Sequence, residues 1–469
     1  MPDSASRLSL IEADLFERPT HFRLPFRFGA VTVTEAPQAF VRTRIRLADG
    51  TEAVGQAAEL MVPKWFDKNP ALSNADNFNQ LRQSLRIARD HLLAAGKQTA
   101  FGLSATVELA HHAACAKAGL GGLIASFGLA LLDRAILDAL CKAHGMTATA
   151  ALQINLPGLD ARTTPDLLGF DLTGFLAART PAASIGMRHT VGMIDAITEA
   201  EKPADGPQDG LPNSLEGAIA AYGHRYFKIK LSGKADADLD RLVRIAALLD
   251  TLPEYHLTLD GNEQFPDAEA VIALWDKIEA EPRLARFRQA ILFLEQPIAR
   301  AQALAAPIHP LAQRVSVEID ESDGEMGAFA TAKTLGYTGI SSKSCKGFYR
   351  AVLNRARVQQ WGRGFFMSAE DLTTQGGIAV QQDLLLAALI GAEHVERNGH
   401  HYVDGMSGAS STEQAAYLAH HPDLYTATAD GRARIAIHNG AVSLASVLAA
   451  PGLGVAVEAD WAALSPLAG

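Results

Sequence analysis

The sequence predicts an α/β fold whose main part is a parallel (β/α) barrel rather than an open sheet. From about residue 190, eight short β-like runs alternate with helix-like runs over roughly 210 residues, which matches the size of such a barrel. Charged residues also stand at the ends of these runs, where a barrel gathers its active site. The predicted strands are 190–196, 225–231, 256–260, 290–295, 315–320, 338–343, 364–369 and 393–397.

Residues before this region show a different secondary-structure pattern. The stretch 20–60 is β-rich, and its second half alternates apolar and basic residues before a turn at 48–50, which predicts a half-exposed antiparallel hairpin. A loop follows at 61–76, where Trp65 and Phe66 are expected to be exposed. Helical spacing of apolar residues predicts helices over 77–145. Residues 146–190 show no assignable pattern, and the tail at 433–457 returns to short β-like runs.

Length and composition exclude several classes of protein. The chain has 469 residues, a net charge of −10 and three widely spaced cysteines. An acidic chain offers no basic surface for nucleic acid or for an anionic membrane. The cysteines form neither a disulfide framework nor a zinc motif, which is typical of the cytoplasm. No signal peptide is visible, and the most apolar run, 119–132, is too short to cross a bilayer.

Five predicted strands end in charged side chains. Lys228 and Lys230 lie at the end of the second strand and point to the same side, because strand side chains alternate. Such neighbours repel, so each is expected to lower the pKa of the other, which suits a base working near neutral pH. A solvated strand face is the plainer explanation of a lone Lys-x-Lys. The other strand-end residues are Asp260, Glu295, Asp320 and Lys343.

The three strand-end acids predict a metal site. Asp260, Glu295 and Asp320 follow largely apolar runs, and buried carboxylates are rare unless they are paired or bound to metal. Converging carboxylates suit a hard cation, so Mg²⁺ is the first choice and Mn²⁺ a possible substitute. An ion-pair network with the lysines is the alternative. The histidine pairs at 111–112, 400–401 and 420–421 lack metal-binding spacing and are interpreted as surface or loop residues.

These motifs together resemble the enolase superfamily, in particular its muconate-lactonizing-enzyme-like subgroup within the mandelate racemase/muconate lactonizing enzyme family. The resemblance rests on Lys228-x-Lys230, Asp260-x-Asn262, Glu295-Gln-Pro, Asp320-Glu-Ser and Lys343-x-x-Lys346. It implies a modified (β/α)7β TIM-type barrel over 186–429. It also implies an α+β capping domain built from 1–150 and joined by 430–469. A homo-oligomer is implied as well.

The resemblance also implies a role for each matched residue. Asp260, Glu295 and Asp320 would bind Mg²⁺, Lys230 and Lys343 would be acid/base groups on opposite faces of the substrate, and Lys228 would assist them. The further candidates for substrate contacts are Asn262, Glu321, Glu370 and Trp65. Glu370 is equally explained as an ordinary rim acid. The sequence departs from the family after Lys346, where Gly347 is followed by Phe348 rather than by a second glycine.

The predicted function is Mg²⁺-dependent removal of the proton α to a carboxylate of a small substrate, giving a metal-stabilised enediolate. A lysine on each face favours a racemase, an epimerase or a cycloisomerase. A dehydratase of a hydroxy acid or acid sugar uses the same machinery. A barrel without catalytic activity that serves as a binding or scaffold protein is the alternative of another class.

Overall fold

An antiparallel sheet begins the fold in the computed structural model, which describes residues 5–28 and 31–469. Residues 1–4, within the predicted capping domain, and residues 29 and 30, within the predicted β-rich stretch, lie outside this description. The sheet order is β16-β1-β2-β3, with β4 beside β1; β16 (Ser465–Pro466) comes from the tail of the chain. The first four strands are β1 (Arg7–Phe28), β2 (Val31–Leu47), β3 (Glu52–Leu60) and β4 (Gln98–Thr99).

Three long helices follow, as the helical spacing of 77–145 predicts, and two short helices lie beyond them in the stretch 146–190 that had no assignable pattern. Ser73 begins the first helix with a capping box, in which its side chain accepts from the Asp76 backbone and Asp76 accepts in return. The third helix packs so tightly on β3 that a side chain at Gly55 would meet the Ala135 carbonyl at 2.1 Å. The helices are α1 (Asn74–Ala94), α2 (Ala100–Lys117), α3 (Gly122–Ala143), α4 (Ala148–Gln153) and α5 (Leu172–Ala177).

The second sheet is parallel along its main path, as the alternating strands and helices predict. Its order is β11-β10-β9-β8-β7-β6-β5-β12, and the end strands β11 and β12 come within 8 Å of each other, so the sheet curls round. The strands are β5 (Ser184–Val191), β6 (Tyr226–Lys230), β7 (His256–Asp260), β8 (Ile291–Glu295), β9 (Val317–Ile319), β10 (Gly339–Ser342), β11 (Phe366–Ala369) and β12 (His394–Arg397).

Helices connect most of these strands. Acidic residues begin α7 and its apolar residues face the sheet, which is the ordinary pattern of an amphipathic helix. The helices are α6 (Leu215–Tyr222), α7 (Ala235–Leu249), α8 (Ala268–Ala280), α9 (Ala285–Gln289), α10 (Arg300–Ala303), α11 (His309–Ala312), α12 (Ala328–Thr334), α13 (Phe348–Trp361) and α14 (Ile378–Leu389). The α/β class is confirmed, whereas closure into a (β/α)7β barrel and the capping domain remain predictions.

The tail returns to the first sheet. Its last strand pairs with β1, so that Phe16 lies opposite Pro466 and Glu17 opposite Ser465. A third strand of the tail joins the curled sheet, antiparallel to β5. The elements are α15 (Gly399–Tyr402), α16 (Ser411–His420), β13 (Tyr425–Ala427), β14 (Ala433–Ile435), β15 (Ala441–Ser443), α17 (Ala445–Ala449), α18 (Pro451–Gly454) and β16 (Ser465–Pro466).

The far end of the β1–β2 hairpin packs on loops of the curled sheet. Arg23 binds the Asp209 carboxylate and donates to the His401 carbonyl at 2.7 Å. The Phe26 ring lies 4.3 Å from that of Tyr402. These contacts place an apolar side chain of the first sheet over the carboxyl ends of the parallel strands.

Three expectations from the sequence are wrong in detail. The first strand of the curled sheet spans Ser184–Val191, not 190–196, so β-structure lies within the stretch that had no assignable pattern. The β-rich region begins at Arg7, before residue 20. Trp65 and Phe66 are buried, because Phe66 packs on Phe127 of the third helix and Arg300 donates to the carbonyls of both residues. In the described residues, no helix is long and apolar enough to span a membrane.

Candidate active site

Charged side chains gather at the carboxyl ends of the parallel strands, as predicted. Lys230, Asp260 and Glu295 are register partners across β6, β7 and β8, so they lie side by side. Phe227 and Ile229 alternate with the lysines and pack in the apolar core on the other side of the sheet. The strand pattern therefore fixes which side chains enter the interior.

Gln296 helps to position two of the predicted metal ligands. It follows Glu295 directly and takes a left-handed backbone conformation, with φ of 30°. Its side-chain oxygen accepts hydrogen bonds from the backbone of Asp320 at 2.8 Å and of Ser322 at 3.1 Å. A strained residue held by such bonds is typical of a functional site, and here it ties the end of β8 to the segment after β9.

Lys228 is the centre of the charged cluster. Its buried Nζ lies 2.9 Å from Asp260 Oδ2, 2.6 Å from Glu295 Oε2 and 2.7 Å from Glu370 Oε2. Glu396 Oε2 is a fourth carboxylate oxygen, at 2.9 Å. One ammonium group therefore holds together carboxylates from four strands.

The predicted lowering of the Lys228 pKa is wrong in this arrangement. Burial alone would lower that pKa, but the surrounding carboxylates of Asp260 and Glu295 raise it well above its usual value. Burial would also lower the pKa of Lys343, but the Asp320, Glu370 and Glu295 carboxylates together raise it. Lys230 affects the pKa of Lys228 less than the acids do, because Lys228 is in direct contact with four carboxylates.

The two predicted acid/base lysines each pair with a different predicted metal ligand. Lys230 Nζ donates to Asp260 Oδ2 at 2.6 Å. Lys343 Nζ donates to Asp320 Oδ2 at 2.9 Å and lies 5.2 Å from the centre of the Trp65 ring. Lys346, the last residue of the recognised series, binds the second oxygen of Asp320 at 2.9 Å.

The donor set suits a hard divalent cation. Asp260, Glu295 and Asp320 are all buried and come from adjacent strand ends. Burial and the neighbouring Asp260 and Glu370 carboxylates raise the pKa of Glu295 well above normal, so this acid would gain from additional positive charge. Oxygen ligands of this kind are those that Mg²⁺ prefers.

The most compact acidic group is nevertheless a different one. Among the described residues, Glu295, Glu318 and Glu370 bring carboxylate oxygens within 4.8 Å of one another, whereas the predicted trio does not form such a group. Glu318 lies two residues before Asp320 on the same side of its strand, and it accepts from Ser368 Oγ at 2.9 Å. Glu295 thus belongs both to the strand-end acids and to this compact group.

A small cavity lies between the lysines. Its volume is about 30 Å³, enough for little more than a water molecule. Lys230 and Lys343 both line it, and so do Asp260 and Asp320. Phe26 and Trp65 also line it and bring apolar surface from the N-terminal part of the chain. A carboxylate substrate would therefore need the surrounding loops to move.

The four predicted substrate contacts divide into two pairs. Asn262 and Trp65 line the cavity. Glu370 instead accepts from Lys228 inside the sheet, and burial raises its pKa to about 7. Glu321 does not line the cavity and accepts from Lys68 at 3.3 Å. The role of each residue towards a substrate remains a prediction.

The sequence reasoning missed the contribution of the eighth strand. Glu396 lies at the end of β12, binds Lys228 and lines the cavity, and Asn398 lines it from two residues further on. Asp371 lines it from the segment after β11, directly after the predicted rim acid Glu370. The rule that identified Asp260 and Glu295 would have identified Glu396, since this acid also ends a predicted strand.

No family model and no curated protein sequence matches the chain. Solved structures do match. A mandelate racemase/muconate lactonizing protein from Herpetosiphon aurantiacus shares 18% identity at a TM-score of 0.58, with 96% of this chain and 99% of that one covered. A dipeptide epimerase from Methylococcus capsulatus, complexed with Mg and the dipeptide L-Arg-D-Lys, shares 17% identity at a TM-score of 0.53. The match covers 92% of this chain and 99% of that one.

A third match is the L-Ala-D/L-Glu epimerase from Bacillus subtilis, at 15% identity and a TM-score of 0.57, with 96% of this chain and 99% of that chain covered. At these identities the likeness establishes the fold. The chain thus has the fold of mandelate racemase/muconate lactonizing proteins and dipeptide epimerases, and the resemblance to the enolase superfamily is confirmed at that level.

Proposed function

We propose that this protein is a Mg²⁺-dependent isomerase of the enolase superfamily that removes and returns the proton α to a substrate carboxylate. The observation that carries this proposal is the placement of Lys230 and Lys343. They come from β6 and from the end of β10, line one cavity, and pair with two different acids of the predicted metal set. A substrate carbon between them would be open to proton transfer from either face.

Asp260, Glu295 and Asp320 would hold the cation. When bound there, Mg²⁺ would polarise the substrate carboxylate and so make the neighbouring C–H bond more acidic. Lys228 would keep the acids together through its ion pairs. Phe26 and Trp65 would exclude water from the reacting carbon, because both cover the cavity with apolar surface.

Each lysine would have one task in a given direction of the reaction. Lys230 would accept the α-proton on one face, and Lys343 would donate a proton from its Nζ to the other face, which inverts the carbon. The same first step followed by ring closure or opening would give a cycloisomerase. The dipeptide and L-Ala-D/L-Glu epimerases among the structural neighbours support a substrate with an α-proton next to a carboxylate or its amide.

The direct test is hydrogen–deuterium exchange of candidate substrates in D₂O with Mg²⁺, followed by mass spectrometry. The panel comprises dipeptides, N-acylamino acids, hydroxyproline derivatives and acid sugars. Deuterium uptake without other change in mass supports a racemase or epimerase, and the responding compound defines the substrate class. A product lighter by one water would replace the isomerase by a dehydratase. Exchange that persists without any divalent cation would contradict the metal requirement.

A further inference from the structure

A second polar cluster lies on the other side of the curled sheet and consists of four histidines, here called the histidine cluster. His189 belongs to β5, and its neighbours Arg188 and Thr190 enter the sheet interior, where they bind Glu370 and Glu396. Because side chains alternate along a strand, His189 faces outward. The other members are His224, between α6 and β6, and His400 and His401 in α15.

The four rings form one packed group. The centre of the His189 ring lies 5.1 Å from that of His224 and 5.2 Å from that of His400, and His224 and His400 are also 5.2 Å apart. One nitrogen from each of these three residues lies within 4.8 Å of the other two. Tetrahedral Zn²⁺ with bonds of about 2.0–2.1 Å sets its nitrogen ligands roughly 3.3 Å apart, so modest ring rotations would suffice.

The cluster leaves buried nitrogen atoms without partners. The His224 ring is only 1% exposed and lies beside the Met187 backbone, which serves at most one of its two nitrogens and without good alignment. Nδ1 of His400 has no aligned partner either. The pair His189 Nδ1 and His400 Nε2, at 3.0 Å, is the hydrogen bond that joins two members. A buried polar atom without a partner is unfavourable, so nitrogens of this kind on two neighbouring rings indicate room for a ligand.

The rings also have the charge state and the access that a metal requires. Burial lowers the pKa of His224 to about 3 and that of His401 to about 4, so these imidazoles are neutral at physiological pH. Neutral imidazole is the form that binds metal. His400 lines a surface cavity of about 850 Å³, which gives an ion a route from solvent.

We propose that His189, His224 and His400 form a second metal site, with His401 beside them, that takes a borderline divalent cation such as Zn²⁺, Co²⁺ or Ni²⁺. Imidazole ligands favour these ions, whereas Mg²⁺ prefers the carboxylates on the inner side of the sheet. The site would tie β5, the start of β6 and α15 together. It would thereby hold the segment that begins with Glu396 and Asn398, which line the catalytic cavity.

The test is titration of the metal-free full-length chain with Co²⁺ in saturating Mg²⁺, followed by visible absorption. One Co²⁺ per chain with an intense tetrahedral-type spectrum, displaced by Zn²⁺, is expected. His224→Ala and His400→Ala should weaken Co²⁺ binding by more than roughly 100-fold, since removing even an outer-shell partner of a metal ligand costs 10–100-fold. The exposed His438 supplies the matched control variant, His438→Ala, which should bind as the wild type does.

X-ray absorption of the Zn²⁺-loaded wild type provides a readout that does not depend on the folding of the variants. A first shell of imidazole nitrogens supports the site. A shell of oxygen atoms alone, or no bound metal in excess Mg²⁺, would overturn it. So would Co²⁺ binding that survives His224→Ala but disappears in Asp260→Asn, because the ion would then occupy the carboxylates. That last result would leave the proposed enzyme function standing.

Discussion

The two sides of β5 and β6 carry buried polar clusters built on opposite principles. On the inner side, the Lys228 ammonium touches four carboxylates, and Lys230 and Lys343 pair with Asp260 and Asp320. On the outer side, burial lowers the pKa of His224, and buried nitrogens of His224 and His400 lack well-aligned hydrogen-bond partners. Both clusters are buried, but the inner one is held together by its own ion pairs, whereas the outer one is uncharged and has nitrogens available for a ligand.

The largest effect should come from the two lysines that line the cavity. Lys230→Ala and Lys343→Ala should each reduce α-proton exchange by roughly 10²–10⁴-fold, the usual contribution of a general acid or base. Both variants should keep the circular dichroism of the wild type. Lys234, an exposed residue beyond the end of β6, provides the control variant Lys234→Ala. Undiminished exchange in both cavity variants would remove the lysines from the reaction.

Removal of the Lys228 ammonium group tests how far the stability of the inner cluster depends on its ion pairs. Lys228→Met should lower the free energy of unfolding by about 3–5 kcal/mol, because buried carboxylates would lose their counter-charge. Urea denaturation measures the loss. The exposed Lys277, paired with Asp236, gives the control Lys277→Met, which should change stability by less than about 0.5 kcal/mol. Equal losses in the two variants would mean that the four-carboxylate contact contributes nothing.

A substitution among the predicted metal ligands tests whether these acids bind Mg²⁺. Asp260→Asn should weaken Mg²⁺ binding at least tenfold, which corresponds to about 1.4 kcal/mol, because one anionic oxygen ligand becomes a neutral amide. Isothermal titration calorimetry measures the affinity. Glu269→Gln, at an exposed position on α8, is the matched control. An unchanged affinity in Asp260→Asn would exclude Asp260 from the ligand set.

A smaller effect concerns Asp133, a buried acid of α3 that, unlike Asp260, has no cation beside it. Burial raises its pKa to about 8, so the folded protein holds a proton that the unfolded chain releases. Stability attributable to Asp133 is therefore greatest at acidic pH and falls as the pH rises towards 8. The free energy of unfolding of Asp133→Asn, relative to that of the wild type, should therefore rise by up to about 1.4 kcal/mol between pH 5 and pH 6.

Urea denaturation at several pH values measures that gain. The highly exposed Asp236 provides the comparison Asp236→Asn, for which we expect no such trend. A difference between Asp133→Asn and the wild type that does not vary with pH would show that Asp133 is ionised in the folded state. A buried acid would then tolerate its charge without the lysines that the inner cluster uses.

The charged side was predictable from sequence because its members obey one rule. Lys230, Asp260 and Glu295 end consecutive strands, and parallel strands bring their ends together whatever the intervening helices contain. The same regularity made the α/β class predictable. It failed for β5, because most of this strand lies within the stretch 146–190, which has no recognisable pattern.

The neutral side was not predictable, and the interpretation of His400 and His401 as surface or loop residues was wrong. Both are buried, as are His111 and His421. Adjacent histidines give no periodic signal, and His189 and His224 meet them only because β5 pairs with both β12 and β6. The burial of Trp65 was likewise missed, since it depends on contacts with distant parts of the chain, such as Arg300, which donates to the Trp65 carbonyl.

The pairing of β1 with β16 has a consequence for synthesis on the ribosome. Glu17 finds its partner Ser465 only after more than four hundred further residues have been made. At about 5–20 residues per second, roughly 20–90 s separate the two events. During that time the outer edge of β1 has unpaired backbone groups that could bind a second nascent chain. This edge is therefore a place where a chaperone would protect the growing chain from association.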